Sequence, residues 1–258
     1  MIIAFWGCGG IGKTTIACGL GGMYSDRGTA GIIDTNLCSP TLPIHLSGIK
    51  LDSERSLGRY LNRLGTNEIR PYFHQHPLCD GLFLAGLSDR DTYTDFEIGF
   101  EAIDRAKEFL EQSEEMLGTV ILDCSIQRND PFLPVMLREA DCIILPIVPS
   151  IGATYWYSAI RPMLENAGAL ARTIPIAVMT MPFHLIDEIE RQLNIKFAAQ
   201  FRFTSEIARL RDESRLVTDA IRRDALHWTK NLHLLYDEIE RRKAESAVIP
   251  PEREVNVS

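Results

Sequence analysis

The sequence predicts an α/β fold, a doubly wound and mostly parallel sheet with helices on both faces. Short β-branched or apolar runs alternate along the chain with longer helix-like segments. Nearly all of these runs lack polar/apolar alternation, so they are expected to be buried on both sides, as strands of a covered parallel sheet are. A glycine-rich turn joins the first run to the first helical segment, where open α/β sheets hold their ligands.

Strands are expected over residues 2–6, 30–33, 82–85, 119–122, 142–148, 174–179 and 198–203, and only the last of these shows alternation. Between them, residues 96–116 carry Phe100, Ile103, Phe109, Leu110 and Met116 against an acidic face, the pattern of an amphipathic helix. A second helix is expected over 220–243, with Ile221, Ala225, Trp228, Leu232, Leu235 and Ile239 spaced by three and four. Residues 50–80 form a polar, strand-poor insertion around His74, His76, Pro77 and Cys79. One domain is thus expected over 1–243, followed by a flexible tail over 244–258 that contains Pro250 and Pro251.

A chain of 258 residues buries roughly 70–75% of its unfolded surface on folding, so it needs no disulfide staple. With 45% hydrophobic and 24% charged residues, the composition excludes a disordered or fibrous chain. The net charge of −8 argues against a surface built to neutralise a phosphate backbone. DNA binding would need a local patch, and the most basic stretch, 202–223, is interrupted by Asp212, Glu213 and Asp219. The run from Cys142 to Val148 is too short to span a bilayer, and the start shows no basic leader, so no transmembrane segment or signal peptide is expected. The six cysteines include no CxxC pair and are read as reduced thiols of a cytoplasmic protein.

The most specific motif follows the first strand. Gly7-Cys8-Gly9-Gly10-Ile11-Gly12-Lys13-Thr14 matches GxxxxGK[ST], the P-loop, and Thr15 opens the next helix. Its glycines let the backbone N–H groups from Gly9 through Gly12, Ile11 included, turn inward around a phosphate, and the helix N-terminus adds partial positive charge. Lys13 would reach the outer phosphates, and the Thr14 hydroxyl would ligate Mg²⁺. Asp123, at the end of an apolar strand, stands at the Walker B position and is expected to hold Mg²⁺. Asp34 ends the second strand and serves either the metal and water or a helix cap. The loop thus makes the chain a P-loop NTPase by motif.

The form GxGGxGKTT, Gly7 to Thr15, resembles the deviant Walker A motif of the MinD/ParA ATPases. Asp34 to Pro43 resembles that family's switch I, and Asp141 to Pro146 its strand after Walker B. The stretches Phe201-Arg202-Phe203 and Ile207 to Leu210 are similar to the family's base loop and the helix behind it. In all, residues 1–240 can be laid onto the family in order. The resemblance implies ATP with Mg²⁺, an ATP-dependent homodimer, a protein partner, and a positional output such as placing DNA, a septum or a pilus. It also implies recruitment to a membrane or cell pole by that partner.

Three positions depart from the family pattern. The signature lysine is replaced by Cys8, the second switch I aspartate by Asn36, and the adenine-reading asparagine by Thr180. A thiol supplies no positive charge to a transferring phosphoryl group, and an amide holds a water without accepting its proton. The resemblance therefore implies slow hydrolysis, with Lys13, Asp34, Asn36 and Asp123 as the catalytic set and Thr180, Arg202 and Phe203 near the base. Atypical loops are a feature of CpaE/TadZ-type members, which makes those the nearest in kind. A hydrolysis-deficient, ATP-held scaffold is the alternative. A metallocentre insertion factor is a third reading, through Cys8, Cys38 and Cys124 at the strand ends; separately, His74, His76 and Cys79 offer three ligands for zinc or form an ordinary loop.

Overall fold

The computed structural model describes residues 1–39, 41, 44, 52–64, 67–92, 95, 96, 98–213, 215–219 and 225–248. Its sheet contains β1 (Ile2–Phe5), β2 (Ala30–Asp34), β3 (His74–His76), β4 (Cys79–Ala85), β5 (Thr119–Asp123), β6 (Cys142–Ile147), β7 (Thr173–Thr180) and β8 (Gln200–Arg202). Their order across the sheet is β3-β4-β2-β5-β1-β6-β7-β8. Every neighbouring pair is parallel except β3 with β4, which run antiparallel.

The continuous apolar strands are explained by two cores, one on each face. Along β1 and the residue after it, Ile2, Ala4 and Trp6 enter one core while Ile3 and Phe5 enter the other. The first core is closed by α2 (Leu57–Leu61), α3 (Glu101–Met116), α4 (Phe132–Glu139), α5 (Ile151–Asn166) and α6 (Ile186–Leu193). The second lies under α1 (Lys13–Ser25), α7 (Ser205–Asp212) and α8 (Leu226–Val248). Trp228, Leu232, Leu235 and Ile239 on α8 are buried there, as expected for a helix that packs on the sheet.

Four expectations need correction. The stretch expected to be strand-poor supplies β3, because His76 turns tightly back onto Cys79 and the pair forms a hairpin on the sheet edge. The helix expected from residue 96 begins at Glu101, and Phe100, assigned to its buried face, is 92% exposed. Met116, assigned to the same face, is also exposed at the helix end. The last helix runs through Val248, past the expected boundary at Lys243, so the first part of the expected tail is helical. Ile221 and residues 249–258 lie outside the described residues.

Close packing leaves a testable mark at Gly31, in the middle of β2. A Cβ there would stand 2.2 Å from Leu117 Cδ1 and 3.1 Å from Phe73 Cε1. Gly31→Ala is expected to destabilise the fold by about 1–3 kcal/mol through overpacking. Urea denaturation should show a lower midpoint with an unchanged slope.

Candidate nucleotide site

The loop after β1 turns by means of two glycines in the left-handed region, Gly10 at φ 73° and Gly12 at φ 89°. Either position is strained for a residue with a Cβ. Gly12 precedes α1, and no side chain caps the helix there. The N–H groups of the first turn are therefore left to an external acceptor, at the positive end of the helix dipole.

Two carboxylates stand beside this turn because β2 and β5 are neighbours in parallel register. Asp34 and Asp123 are register partners at the last step of that ladder, and both are buried. The Thr14 hydroxyl donates to Asp123 Oδ2. Thr41 Oγ1 donates to Asp34 Oδ2, and Asn36 N–H donates to Asp34 Oδ1 at 3.0 Å. Lys13 Nζ donates to the Cys8 carbonyl at 3.3 Å. Burial, and then the charge of Asp123, push the Asp34 carboxyl up to about 7 against the hydrogen bonds from Thr41 and Asn36 and the charge of Lys13. Burial likewise raises Asp123, opposed by Lys13 and Thr14.

A divalent cation fits this arrangement. Asp123 Oδ1 is buried with no hydrogen-bond partner among the described residues, and a second carboxylate and a hydroxyl stand beside it. Such hard oxygen donors suit Mg²⁺. A cation there would also offset the burial that raises both carboxyls and the charge of Asp123 that raises Asp34 further.

Beside the loop lies a cleft of about 300 Å³, whose lining includes Gly10, Gly12, Lys13, Thr14 and Thr15 together with Met179, Phe203 and Trp228. Of the residues expected near the base, Phe203 lines the cleft, half exposed. Thr180 is buried and accepts from Phe203 N–H through its carbonyl, so Met179 takes the lining position. The Arg202 carbonyl accepts from Trp228 Nε1 at 2.7 Å, which fixes the indole at the cleft wall. Trp228 was legible only as one apolar position of a helix; nothing in its spacing marks a cleft residue.

The remaining expected residues are placed elsewhere. Cys8 and Ile11 line a separate cavity of about 200 Å³ with Trp156. The Asn36 side chain accepts from Cys38 N–H at 3.3 Å, bracing its own loop. Cys38 Sγ meets the Gln127 amide at 2.7–2.9 Å, and burial raises the Cys124 thiol well above its usual value. His76 Nδ1 accepts from Leu78 N–H within the hairpin, and Cys79 Sγ meets Ser25 Oγ at 2.9 Å. Among the described residues, no three His, Cys, Asp or Glu side chains gather as a metal set, so neither thiol reading gains a site. The basic stretch is locally neutralised, with Arg209 on Glu206 and Glu213 and Arg211 on Asp212. Arg222 and Arg223 lie outside the described residues.

One buried acid at this end of the sheet escaped the sequence reading. Asp130 accepts from Thr35 Oγ1, which belongs to the loop after β2. Burial pushes its carboxyl up to about 7 against these hydrogen bonds.

No family model matches the sequence, and no curated protein matches it. Solved structures do. The septum site-determining protein MinD of Pyrococcus horikoshii, complexed with Mg-ADP, superposes with a TM-score of 0.75 at 15% identity, over 96% of this chain and 99% of that one. A ParA family ATPase from Chlorobium tepidum gives a TM-score of 0.69 at 16% identity, over 90% and 96%. MinD in the MinC:MinD complex of Aquifex aeolicus gives 0.64 at 14% identity, over 98% of both chains. This chain therefore has the fold of the MinD and ParA P-loop ATPases.

Proposed function

We propose that the chain binds ATP with Mg²⁺ and hydrolyses it slowly, as an ATP-gated homodimeric switch that positions cellular cargo through a protein partner. The observation that carries this reading is the uncapped N-terminus of α1, which opens onto a cleft beside Lys13, Thr14 and the Asp34–Asp123 pair. The backbone N–H groups of Gly9 to Gly12 would cradle the β-phosphate, with Lys13 supplying charge at the outer phosphates and Thr15 continuing the helix. Thr14, Asp34 and Asp123 would hold Mg²⁺, which neutralises charge on the phosphates when bound. Phe203 and Trp228 offer aromatic surface to a base. Thr180 reaches the base region through its neighbours, and Arg202 through the carbonyl that holds Trp228.

Slow turnover follows from what the loops do. Asn36, engaged with Cys38, can orient a water but cannot take its proton. Cys8, which lines a cavity together with Trp156, brings no charge to the phosphates. These two observations also support the second reading, a scaffold held together by bound ATP without hydrolysis. Whichever holds, the homologous fold of a MinD solved with MinC supports a protein partner, and the partner would decide the location. Among the described residues no helix is long and apolar enough to cross a membrane, so recruitment to a membrane or cell pole would be through that partner. A role in pilus placement is one form of this proposal, and DNA partition another. The neutralised arginines weigh against DNA.

The test combines binding, turnover and assembly. Addition of Mg-ATP should change the emission of Trp228, and the change should be lost in Trp228→Phe. Steady-state phosphate release should be measurable but slow, and light scattering should show a dimer with Mg-ATP and a monomer without nucleotide. Binding without turnover would select the scaffold, and no binding would end the nucleotide reading.

A further inference from the structure

The loops that leave β2 and β5 are tied together by side chains. Thr35 Oγ1 donates to Asp130 Oδ2, and the Ser125 N–H donates to both Thr35 Oγ1 at 2.9 Å and Asp130 Oδ2 at 3.1 Å. The other oxygen, Asp130 Oδ1, accepts from Phe132 N–H at 2.9 Å at the start of α4. Thr35 N–H also donates to the Asp123 carbonyl at 3.1 Å. Thr35 is 1% and Asp130 5% exposed. Further out, the contact between Cys38 and Gln127 joins the same two loops again.

Helix capping alone does not account for this acid. A cap works as well on the surface, where Ser, Thr or Asn serves equally. Burying a carboxyl costs free energy unless its bonds are made, and here three donors from two loops make them. Thr35 directly follows Asp34, and Ser125 lies two residues after Asp123, so the tie sits immediately behind the two acidic side chains of the candidate metal site.

We infer that Asp130 is a positioning residue, which through Thr35 and Ser125 holds the ends of β2 and β5 so that Asp34 and Asp123 receive a nucleotide-bound divalent cation together. The inference rests on the nucleotide reading of the cleft. It assigns no contact between Asp130 and substrate. What Asp130 supplies is a tie just beyond the last ladder step, where Asp34 and Asp123 are register partners and the pairing of the sheet ends.

The test is the affinity for ADP, measured by titration calorimetry with Mg²⁺ and again with EDTA. Asp130→Asn and Thr35→Val should each keep the EDTA affinity within about twofold and lose about tenfold of the gain given by Mg²⁺, the worth of one hydrogen bond to a buried carboxylate. Thr35→Ser, which keeps the hydroxyl, should restore the gain. The double variant should lose no more than the worse single one, because both act on the same tie between the two loops. A double loss equal to the product of the singles, or singles that keep the Mg²⁺ gain, would overturn the inference and leave the nucleotide reading standing. A wild-type chain that binds ADP in neither buffer would overturn both. If Asp130→Asn does not fold by circular dichroism, Thr35→Val removes the bond from the other loop and decides alone.

Discussion

In Lys13→Ala, affinity for Mg-ATP is expected to fall by about a hundredfold or more, and steady-state phosphate release should drop to background. Lys13 stands at the mouth of the α1 N-terminus, and its side chain donates to the Cys8 carbonyl at 3.3 Å. That contact is easily exchanged for a phosphate. Charge-assisted bonds to phosphate are worth roughly 1.5–3 kcal/mol each, so losing more than one gives the stated factor. The same substitution removes the positive charge that holds down both Asp34 and Asp123. The metal-free variant should therefore also unfold at lower urea concentration near neutral pH. Calorimetry, phosphate release and urea titration check the three parts. An unchanged affinity would remove Lys13 from the site.

The second large effect is a dependence of stability on pH with the opposite sign to that of most acid-rich proteins. Asp34 and Asp130 both have carboxyls raised from 3.8 to about 7. A group raised on folding contributes stability that is complete below its unfolded value and is lost as the pH climbs through its folded value. The metal-free chain should thus be most resistant to urea near pH 4–5 and lose resistance up to about pH 8. The bound on each group is roughly 4 kcal/mol, and relaxation around ionised side chains should leave a total of a few kcal/mol. Adding Mg²⁺ with ADP should flatten the part due to Asp34, since the ionised pair is then the bound form, and leave the part due to Asp130. Urea midpoints that rise between pH 5 and pH 8 without ligand would contradict this.

The strands were legible because burial on both faces leaves a simple trace, an apolar run with no alternation. Several of the helices were less so. The helix α5 mixes Tyr155, exposed, with Tyr157, buried, and Trp156, packed on Trp6 with ring centroids 5.9 Å apart. Such a helix shows no clean stripe. The strand β3 was hidden because three residues of a hairpin, two of them histidines, carry no period. Phe100 was misplaced by carrying the apolar stripe past the helix start: it is the N-cap of α3, with helical backbone at φ −61° and ψ −31°, yet its side chain is exposed.

At the site, the glycines, Lys13, Thr14, Asp34 and Asp123 were readable because each is demanded by local geometry or ends a strand. Residues that act across the chain were not. Met179 lines the cleft in place of Thr180, its backbone at φ 50°, and nothing in Met179-Thr180-Met181-Pro182 reveals which side chain turns inward. Asp130 before Pro131 and an apolar run has the form of a helix start, so its bond to Phe132 N–H could have been anticipated. Its bond to Thr35 spans 95 positions and depends on the sheet bringing β2 beside β5.

The two outermost strands, β3 and β8, are each only three residues long. Unpaired backbone on a sheet rim is a template for strand addition, and short rims supply little of it. The longer β4 is screened by β3, whose register shifts between Gln75 and His76. A cross-β contact between two copies would therefore gain few ladder hydrogen bonds at either side. Fibrillar aggregation by edge-to-edge growth is disfavoured in the native state, and the proposed pairing of two copies would fall to loops and helices.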